Sequence, residues 1–254
     1  MYPELLHFAH LTIYSYAFLI GMGILIAGIF TKKQIEKYWN GEELSYAFFY
    51  GIFIMGFVGG KLFFFLERPG YYLSQPELIL QDFSGGYVFY GSFLLIIPYI
   101  IWYLHKNNKR IWPVLDILAI TTTIVHAIGR LGCFFGGCCY GKPTGFVTGV
   151  EFPATHGVHV HPTQLYESFG IFLIMFFLFK LRKRKKFDGQ IFLTYVFLYA
   201  FLRIIIENYR GDQRGYLIEG ILSHSQFIAL VIMSFSIYLL NKLKSKNYTY
   251  ETVP

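Results

Sequence analysis

The sequence predicts an all-α, polytopic membrane protein with seven transmembrane helices. Of its 254 residues 55% are hydrophobic and only 15% are charged, and the mean hydropathy is +0.46, which is typical of a membrane-embedded chain. Seven apolar runs reach the roughly 20 residues that a helix needs to cross a bilayer. They cover residues 11–30, 45–66, 87–104, 113–135, 163–181, 189–206 and 221–241. The runs lack the polar and apolar alternation of membrane strands and no linker divides them, so we expect one membrane-embedded domain over residues 1–254.

The basic residues predict how these helices are oriented. No Lys or Arg precedes the first run and three lysines follow it, which is the reverse of a cleavable secretion signal, so we expect a retained helix with its N-terminus outside. Most of the 22 basic residues follow helices 1, 3, 5 and 7: Lys32, Lys33, Lys37, Lys106, Lys109, Arg110, Lys180, Arg182, Lys183, Arg184, Lys185, Lys186, Lys242, Lys244 and Lys246. The positive-inside rule makes that side cytoplasmic, with the C-terminus inside. We expect a multi-pass protein of the bacterial inner membrane, whose net charge of +7 reflects loops on anionic lipid and not a nucleic-acid partner.

Taken in order, the helices carry polar residues near the ends that this orientation places outside. These residues are Tyr14 and Tyr16 in helix 1, Tyr87 and Tyr90 in helix 3, Arg130 in helix 4, Gln164, Tyr166 and Glu167 in helix 5, and Arg203 in helix 6. Helix 2 instead has Gly56, Gly59 and Gly60, small residues that permit close approach of another helix. Helix 7 is an apolar run that ends at the last lysine-rich segment. Five helices are therefore expected to face one polar pocket.

Two arginines within the apolar runs predict what this pocket binds. An Arg at the bilayer centre costs on the order of 3 kcal/mol, so Arg130 and Arg203 each indicate a functional site. Arg203, Glu207 and Arg210 share one helix face, since their spacing is i, i+4, i+7. Glu207 either forms a structural pair with Arg203 or holds it for an anion, and both roles are compatible. Planar guanidinium groups beside tyrosine hydroxyls suit the phosphate of a membrane lipid.

Several motifs resemble those of the prolipoprotein diacylglyceryl transferase family. The segment "GRLGCFFGGCCYG" (129–141) is similar to the family pattern G-R-x-G-N-F-x-N-x-E-x-x-G, and "HPTQLYES" (161–168) is similar to P-[ST]-Q-L-Y-E. The segment "FLRIIIENYRGD" (201–212) resembles R-F-x-x-E-x-x-R-x-x-D, with Asp212 one position early. "SGGYVFYGS" (84–92) resembles G-G-L-x-[FY]-[HY]-G, and Tyr16 matches the tyrosine of an early Trp-Tyr-Gly. The motifs occur in the family's order between about residues 14 and 230.

The resemblance implies a reaction and a set of site residues. The reaction is transfer of the diacylglyceryl group from phosphatidylglycerol to the lipobox cysteine of a prolipoprotein, with release of glycerol phosphate and without a cofactor or metal. The membrane lipid and the prolipoprotein signal peptide are then the partners. Arg130 would contact the phosphate, and Arg203, Glu207 and Tyr90 would complete the catalytic set. The residues expected to bind substrate are Arg130, Tyr16, Gly132, Cys133, Gln164, Tyr166, Glu167 and Arg210.

The sequence departs from the family pattern at positions that bear on proton transfer. Cys133, Gly136 and Cys138 stand where the pattern has two asparagines and a glutamate, and Tyr90 stands where a histidine is common. A tyrosine is a weak base because its ordinary pKa is near 10. Glu167, His126 and the substrate phosphate are alternative proton acceptors. A paralogue with another substrate, or a lipid or anion transporter, is the alternative function.

Three cysteines close the fourth helix, and four roles are open for them. The first role is structural, as small buried residues or as one disulfide between two of Cys133, Cys138 and Cys139. The second is a redox pair and the third a covalent relay. The fourth is a metal site together with His156, His159 and His161. The spacing of these histidines and cysteines fits no standard zinc pattern, so we expect the structural role.

Overall fold

A computed structural model describes residues 4–8, 11–38, 44–66, 69–84, 89–211, 216–218 and 222–251, and these are mostly helical. The described helices are α1 (Ser15–Tyr38), α2 (Tyr46–Leu66), α3 (Pro69–Ser74), α4 (Leu78–Gln81), α5 (Phe89–Lys106), α6 (Ile111–Phe135), α7 (Thr163–Arg182), α8 (Gln190–Glu207) and α9 (His224–Glu251), with short 3-10 turns at Asp82–Ser84 and Pro153–Thr155. The strands are β1 (Glu4–Phe8), β2 (Leu11–Tyr14), β3 (Val150–Glu151), β4 (His159–Val160), β5 (Tyr216–Ile218) and β6 (Leu222–Ser223).

Within these ranges six helices are long and apolar enough to cross a membrane, namely α1, α2, α6, α7, α8 and α9. The predicted multi-pass membrane protein is confirmed at this level. The third predicted crossing, 87–104, overlaps the 18-residue helix α5, of which Leu94–Lys106 is the apolar part with described side chains. Within the described ranges six of the seven predicted crossings are matched, and the third stays a prediction.

The first helix begins later than its apolar run. Residues 11–14 pair with β1 in an antiparallel hairpin, so Tyr14 ends β2 and does not lie in a helix as predicted. Threonine, isoleucine and tyrosine favour a strand, and this preference decides a stretch that hydropathy alone assigns to the helix. Two further antiparallel strand pairs lie in the described connections, β3–β4 between α6 and α7 and β5–β6 between α8 and α9.

The described residues fall into two compact units, of which the first comprises residues 1–38 and 112–254. Its apolar core lies between α6, α7 and α8. The core residues are Ala119, Ile120, Ile174, Leu178, Ile191 and Tyr195, all less than a tenth exposed. Phe30 of α1 packs edge-on against Phe179 of α7, with ring centroids 5.5 Å apart. The side chains that α6, α7 and α8 place beyond this core are thereby fixed relative to one another.

One end of α6 is tied to the connection between α7 and α8. The buried carboxylate of Asp116 accepts hydrogen bonds from the backbone N–H groups of Gly189 and Phe192, each at 2.9 Å. Lys185 Nζ lies 3.0 Å from Asp116 Oδ2 and 2.7 Å from Asp188 Oδ1. Partial burial opposes the charge of Lys185, but the hydrogen bond to Asp188 and the charge of Asp116 prevail and raise its pKa. The basic segment after α7 is therefore anchored at this point.

The second unit, residues 39–111, is built on the pairing of α2 with α5. The two helices cross at Gly59 and Gly91, where an ideal Cβ on Gly59 would lie 2.4 Å from the Gly91 carbonyl oxygen. Any side chain at this crossing would push the helices apart. The predicted role of the glycines of helix 2 in close helix approach is confirmed at Gly59.

At the other end of α6 the chain folds back across the first unit. Gly141 N–H donates to the His161 carbonyl at 2.8 Å, and Lys142 N–H donates to the Tyr209 carbonyl at 2.8 Å. A Cβ on Gly141 would lie only 2.3 Å from the Tyr209 oxygen, so this position requires glycine. These bonds bring the end of α6, the start of α7 and the end of α8 together.

Candidate active site

A buried carboxylate joins the three helices at this end. Glu167 of α7 has a side chain that is 1% exposed, and Arg130 of α6 and Arg203 of α8 approach its two oxygens. Arg130 Nη2 lies 3.0 Å from Glu167 Oε1, and Arg203 Nη1 lies 3.8 Å from Glu167 Oε2. The two arginines expected from the sequence therefore converge from separate helices on one anion.

Two rings, one turn before each arginine, complete the surroundings of Glu167. The Tyr199 hydroxyl donates to Glu167 Oε1 at 2.9 Å, and the His126 ring stands edge-on to Tyr199 with centroids 4.8 Å apart. His126 Nε2 is 3.7 Å from the same oxygen, which is too long for a hydrogen bond. His126 Nε2 and Glu167 Oε2 are buried and have no hydrogen-bond partner among the described residues. The Glu167 oxygen can therefore accept a further hydrogen bond, and the His126 nitrogen can accept or donate one according to its tautomer.

Tyr199 is a site residue that the sequence reasoning missed. Its spacing provides a signal, because it precedes Arg203 by four residues and a helix places residues i and i+4 on one face.

A second carboxylate holds Arg203 from the other side. Glu207 Oε2 accepts a 2.7 Å hydrogen bond from Arg203 Nη2, as the i, i+4 spacing predicts. Glu207 Oε1 accepts a further bond of 3.2 Å from the Ser223 hydroxyl in β6. Arg203 is therefore fixed between two acidic side chains and is only 7% exposed.

The Arg130 guanidinium is less constrained than that of Arg203. Its side chain is 19% exposed, and Glu167 is its ion-pair partner. Across the described ranges no acceptor forms a hydrogen bond with it. A guanidinium has five N–H donors in a planar fork, so Arg130 retains donors for an anion that approaches from the accessible side.

Gln164 and Tyr166 have structural partners in addition to any contact with substrate. Gln164 Nε2 donates to the Cys138 carbonyl at 2.5 Å, and the neighbouring Thr163 hydroxyl donates to the Cys139 carbonyl at 2.9 Å. The Tyr166 hydroxyl lies 3.0 Å from Thr148 Oγ1 and lines an open cavity of about 340 Å³ beside the last turn of α8. Gln164 thus positions the cysteine loop, whereas Tyr166 faces accessible space.

The three cysteines lie together at the end of α6. Their sulfur atoms are all within 4.8 Å of one another, and none forms a disulfide. Hydrogen bonds with the Cys133 and Cys138 thiols, and the positive charges of Arg210 and Arg130, lower the pKa of Cys139. Arg210 is buried, and its backbone pairs with Gly141.

The remaining predicted residues are placed as follows. Gly132 packs on the start of α1, where its ideal Cβ would lie 3.2 Å from Tyr16 Cδ2, and the Tyr16 side chain is 47% exposed. Tyr90 belongs to the first turn of α5, in the second unit, and its side chain lies outside the described part. Tyr87 and Asp212 lie outside the described residues altogether.

The chain matches a known protein family over nearly its whole length. The family model for prolipoprotein diacylglyceryl transferases matches residues 3–241. The chain belongs to this family. The resemblance inferred from the motifs is thus confirmed, and Arg130, Glu167 and Arg203, which come from three of those motifs, are in contact.

Individual members of the prolipoprotein diacylglyceryl transferase family are similar from end to end. The phosphatidylglycerol–prolipoprotein diacylglyceryl transferase of Clostridium tetani is 36% identical over 246 residues, which are 95% of this chain and 97% of that protein. Phosphatidylglycerol–prolipoprotein diacylglyceryl transferase 2 of Clostridium perfringens is 33% identical over 95% of this chain and 96% of its own. The corresponding transferase of Finegoldia magna is 31% identical, with 91% of each chain covered.

Proposed function

We propose that this protein transfers the diacylglyceryl group of phosphatidylglycerol to the lipobox cysteine of a prolipoprotein and releases glycerol phosphate. The protein would act as one transferase domain in the bacterial inner membrane, with seven crossings and its N-terminus outside. The names of its relatives support the substrates, and the convergence of Arg130 and Arg203 on Glu167 supports the site. That convergence is the observation on which the proposal depends.

The lipid phosphate binds at the accessible side of Arg130. Glu167 pairs with one side of this guanidinium, whose side chain is 19% exposed, so donors remain for a phosphate that approaches from the accessible side. An Arg fork pairs with two phosphate oxygens and fixes the orientation of the headgroup. The acyl chains remain among the apolar helix surfaces. Phosphatidylglycerol is thereby held by its phosphate.

The transfer exchanges a carbon–oxygen bond for a carbon–sulfur bond and moves the thiol proton to the phosphate. The cysteine sulfur bonds to the glyceryl carbon that carries the phosphate, and the carbon–oxygen bond breaks with its electron pair on the phosphate oxygen. Negative charge grows on that oxygen, and Arg130 and Arg203 stabilise it. The thiol proton ends on glycerol phosphate, whose second pKa is about 6 in phosphate monoesters. No other reactant is needed for the atoms to balance.

The remaining residues act around this step. Glu207 positions Arg203 through the 2.7 Å bond. The thiol proton is taken up by the substrate phosphate itself, by His126 or by Glu167, and His126 Nε2 and Glu167 Oε2 have no hydrogen-bond partner in the described structure. Tyr16 and Tyr166, which are accessible, contact the lipid or the signal peptide. Tyr90 keeps its predicted catalytic role on the family resemblance alone.

The test is lipidation of a synthetic lipobox peptide by the purified protein in phosphatidylglycerol micelles, followed by the mass of the peptide. We expect Arg130→Ala to lower the rate about 10²–10³-fold, the scale seen when one donor to developing charge is removed. Arg184→Ala is the matched control, since Arg184 is exposed in the basic segment after α7. Unchanged lipidation by the Arg130→Ala protein would remove the proposed chemistry.

A further inference from the structure

We propose that Cys133, Cys138 and Cys139 form a binding site for one thiophilic d¹⁰ metal ion, for which Cd²⁺ and Zn²⁺ are the probes. The three sulfur atoms lie within 4.8 Å of one another, and each offers one ligand atom. The inference does not rest on the proposed transferase activity, because metal binding is measured without lipid or peptide.

The backbone at the end of α6 brings the three thiols to one point. Cys133 lies in the last turn of the helix, and the Cys138 N–H donates back to the Cys133 carbonyl at 3.1 Å. Gly137 and Cys139 have φ values of 68° and 63°, in the left-handed region, so the chain turns back over the helix end. Residues 138 and 139 therefore return to the side chain of residue 133.

Helix α7 fixes this loop from outside the cluster. Thr163 and Gln164 donate their side-chain hydrogen bonds to the carbonyls of Cys139 and Cys138. Both donors are almost fully buried, at 0% and 1% exposure. The loop is thus held in the conformation that gathers the sulfurs before an ion arrives, which reduces the ordering cost of binding.

The sulfur spacing is close to that of metal thiolate centres. A zinc–sulfur bond of about 2.3 Å in tetrahedral geometry places two sulfurs about 3.8 Å apart. A separation of at most 4.8 Å reaches that value through small rotations of the cysteine side chains. Three protein ligands leave the fourth position for water, as in open zinc sites.

Charge and access also suit an ion at this place. A divalent ion held by three thiolates forms a centre with one net negative charge, and the thiols that are still protonated release their protons on binding, without any oxidation or reduction. Arg130 and Arg210 are near enough to act electrostatically on Cys139, and their positive charges balance such a centre. Cys138 is exposed and provides the entry path. Among the described histidines and acids none joins the cluster, so the ligands are the cysteines themselves.

The chain allows a clean test because it contains three cysteines and no others. Purified protein in detergent is first reduced, freed of reductant under inert gas, and titrated with Cd²⁺ while thiolate-to-cadmium charge transfer is followed in the ultraviolet. We expect saturation at one ion per chain, displacement of bound Zn²⁺ by Cd²⁺, the softer ion, and protection of all three thiols from a chromogenic thiol reagent. Absence of the ultraviolet band, or protection of only two thiols, would overturn the proposal.

Variants separate this site from adventitious binding. Cys138→Ser should weaken Cd²⁺ binding by roughly 10-fold or more, the scale on which even outer-shell partners act. His159→Ala, which alters a histidine outside the cluster, should leave it unchanged. The variant with all three cysteines replaced by serine should lose the band, and binding retained there would assign the ion to other ligands. If that variant does not insert, Cys138→Ser and the wild-type titration decide the question.

Discussion

Replacing Glu167 by glutamine removes the charge on which both arginines converge while keeping the shape of the side chain. At an effective dielectric constant of about 20, the attraction across the 3.0 Å contact is about 5.5 kcal/mol for Arg130, and across the 3.8 Å contact it is about 4.4 kcal/mol for Arg203. The cost of removing the carboxylate from water offsets much of this electrostatic attraction. Breaking a buried ion pair by removing one partner costs about 3–5 kcal/mol, and we take the lower end because Arg203 keeps Glu207.

We expect a loss of similar size in transition-state stabilisation, because Arg130 is then no longer held in place. About 3 kcal/mol of lost transition-state stabilisation corresponds to a rate about 10²-fold lower. We expect Glu167→Gln to raise the KM for phosphatidylglycerol as well as to lower kcat in the lipobox-peptide assay. Glu167→Asp, which retains the charge, should recover part of the rate.

A matched control separates positioning from folding. Asp116 is another buried carboxylate on the same bundle, but its partners lie at the opposite end of α6. Asp116→Asn should lower the unfolding temperature in detergent without a selective effect on the KM for the lipid. Wild-type kinetics for Glu167→Gln, or kinetic losses equal to those of Asp116→Asn at equal stability, would refute the reasoning.

Three further outcomes follow from the geometry. Gly141→Ala should lower stability by about 1–3 kcal/mol in thermal unfolding, as overpacking does, whereas Gly145→Ala, whose Cβ meets no atom of the described structure within 4 Å, should not. Tyr199→Phe removes the hydroxyl that donates to the Glu167 carboxylate and should cost about 1.5–3 kcal/mol of stability. Tyr195→Phe, at the stacked neighbouring ring, should cost less. Equal losses would contradict the Tyr199–Glu167 hydrogen bond. Lys185 has a raised pKa in the folded state, so its contribution should be full below the ordinary lysine pKa of about 10.4 and fall as pH rises through the folded value. Unfolding temperatures of wild type and Lys185→Met should therefore converge only at alkaline pH, and a constant difference up to pH of about 12 would be inconsistent with that shift.

Hydropathy and charge were sufficient to predict a helical membrane protein, because a bilayer admits only long apolar segments. Arg130 and Arg203 were identifiable for the same reason, since a guanidinium in an apolar helix needs an explanation. The i, i+4 spacing also predicted the Arg203–Glu207 pair. What the sequence did not show is that Glu167 lies between the two arginines. That arrangement depends on the rotation of α7 against α6 and α8.

Two other features that the sequence did not predict, the hairpin before α1 and the cysteine cluster, also depend on tertiary contacts. The hairpin before α1 depends on pairing with residues 4–8, which hydropathy does not report. The cysteine cluster depends on left-handed backbone at Gly137 and Cys139, and the second of these is unusual for a residue with a side chain. From spacing alone the cysteines were expected to be structural residues. Their convergence becomes visible only when the direction of the turn is known.

The paired rings and arginines restrict how the chain can change in length. In α6 and in α8 a ring precedes an arginine by one helical turn, and both pairs meet Glu167. A single inserted or deleted residue in a helix turns everything beyond it by about 100°. Such a change between the apolar core and either arginine would swing that guanidinium away from the carboxylate. Insertions are therefore tolerable around Gly145, which is exposed and has no neighbouring atoms where a side chain would begin, but not in the second halves of these two helices.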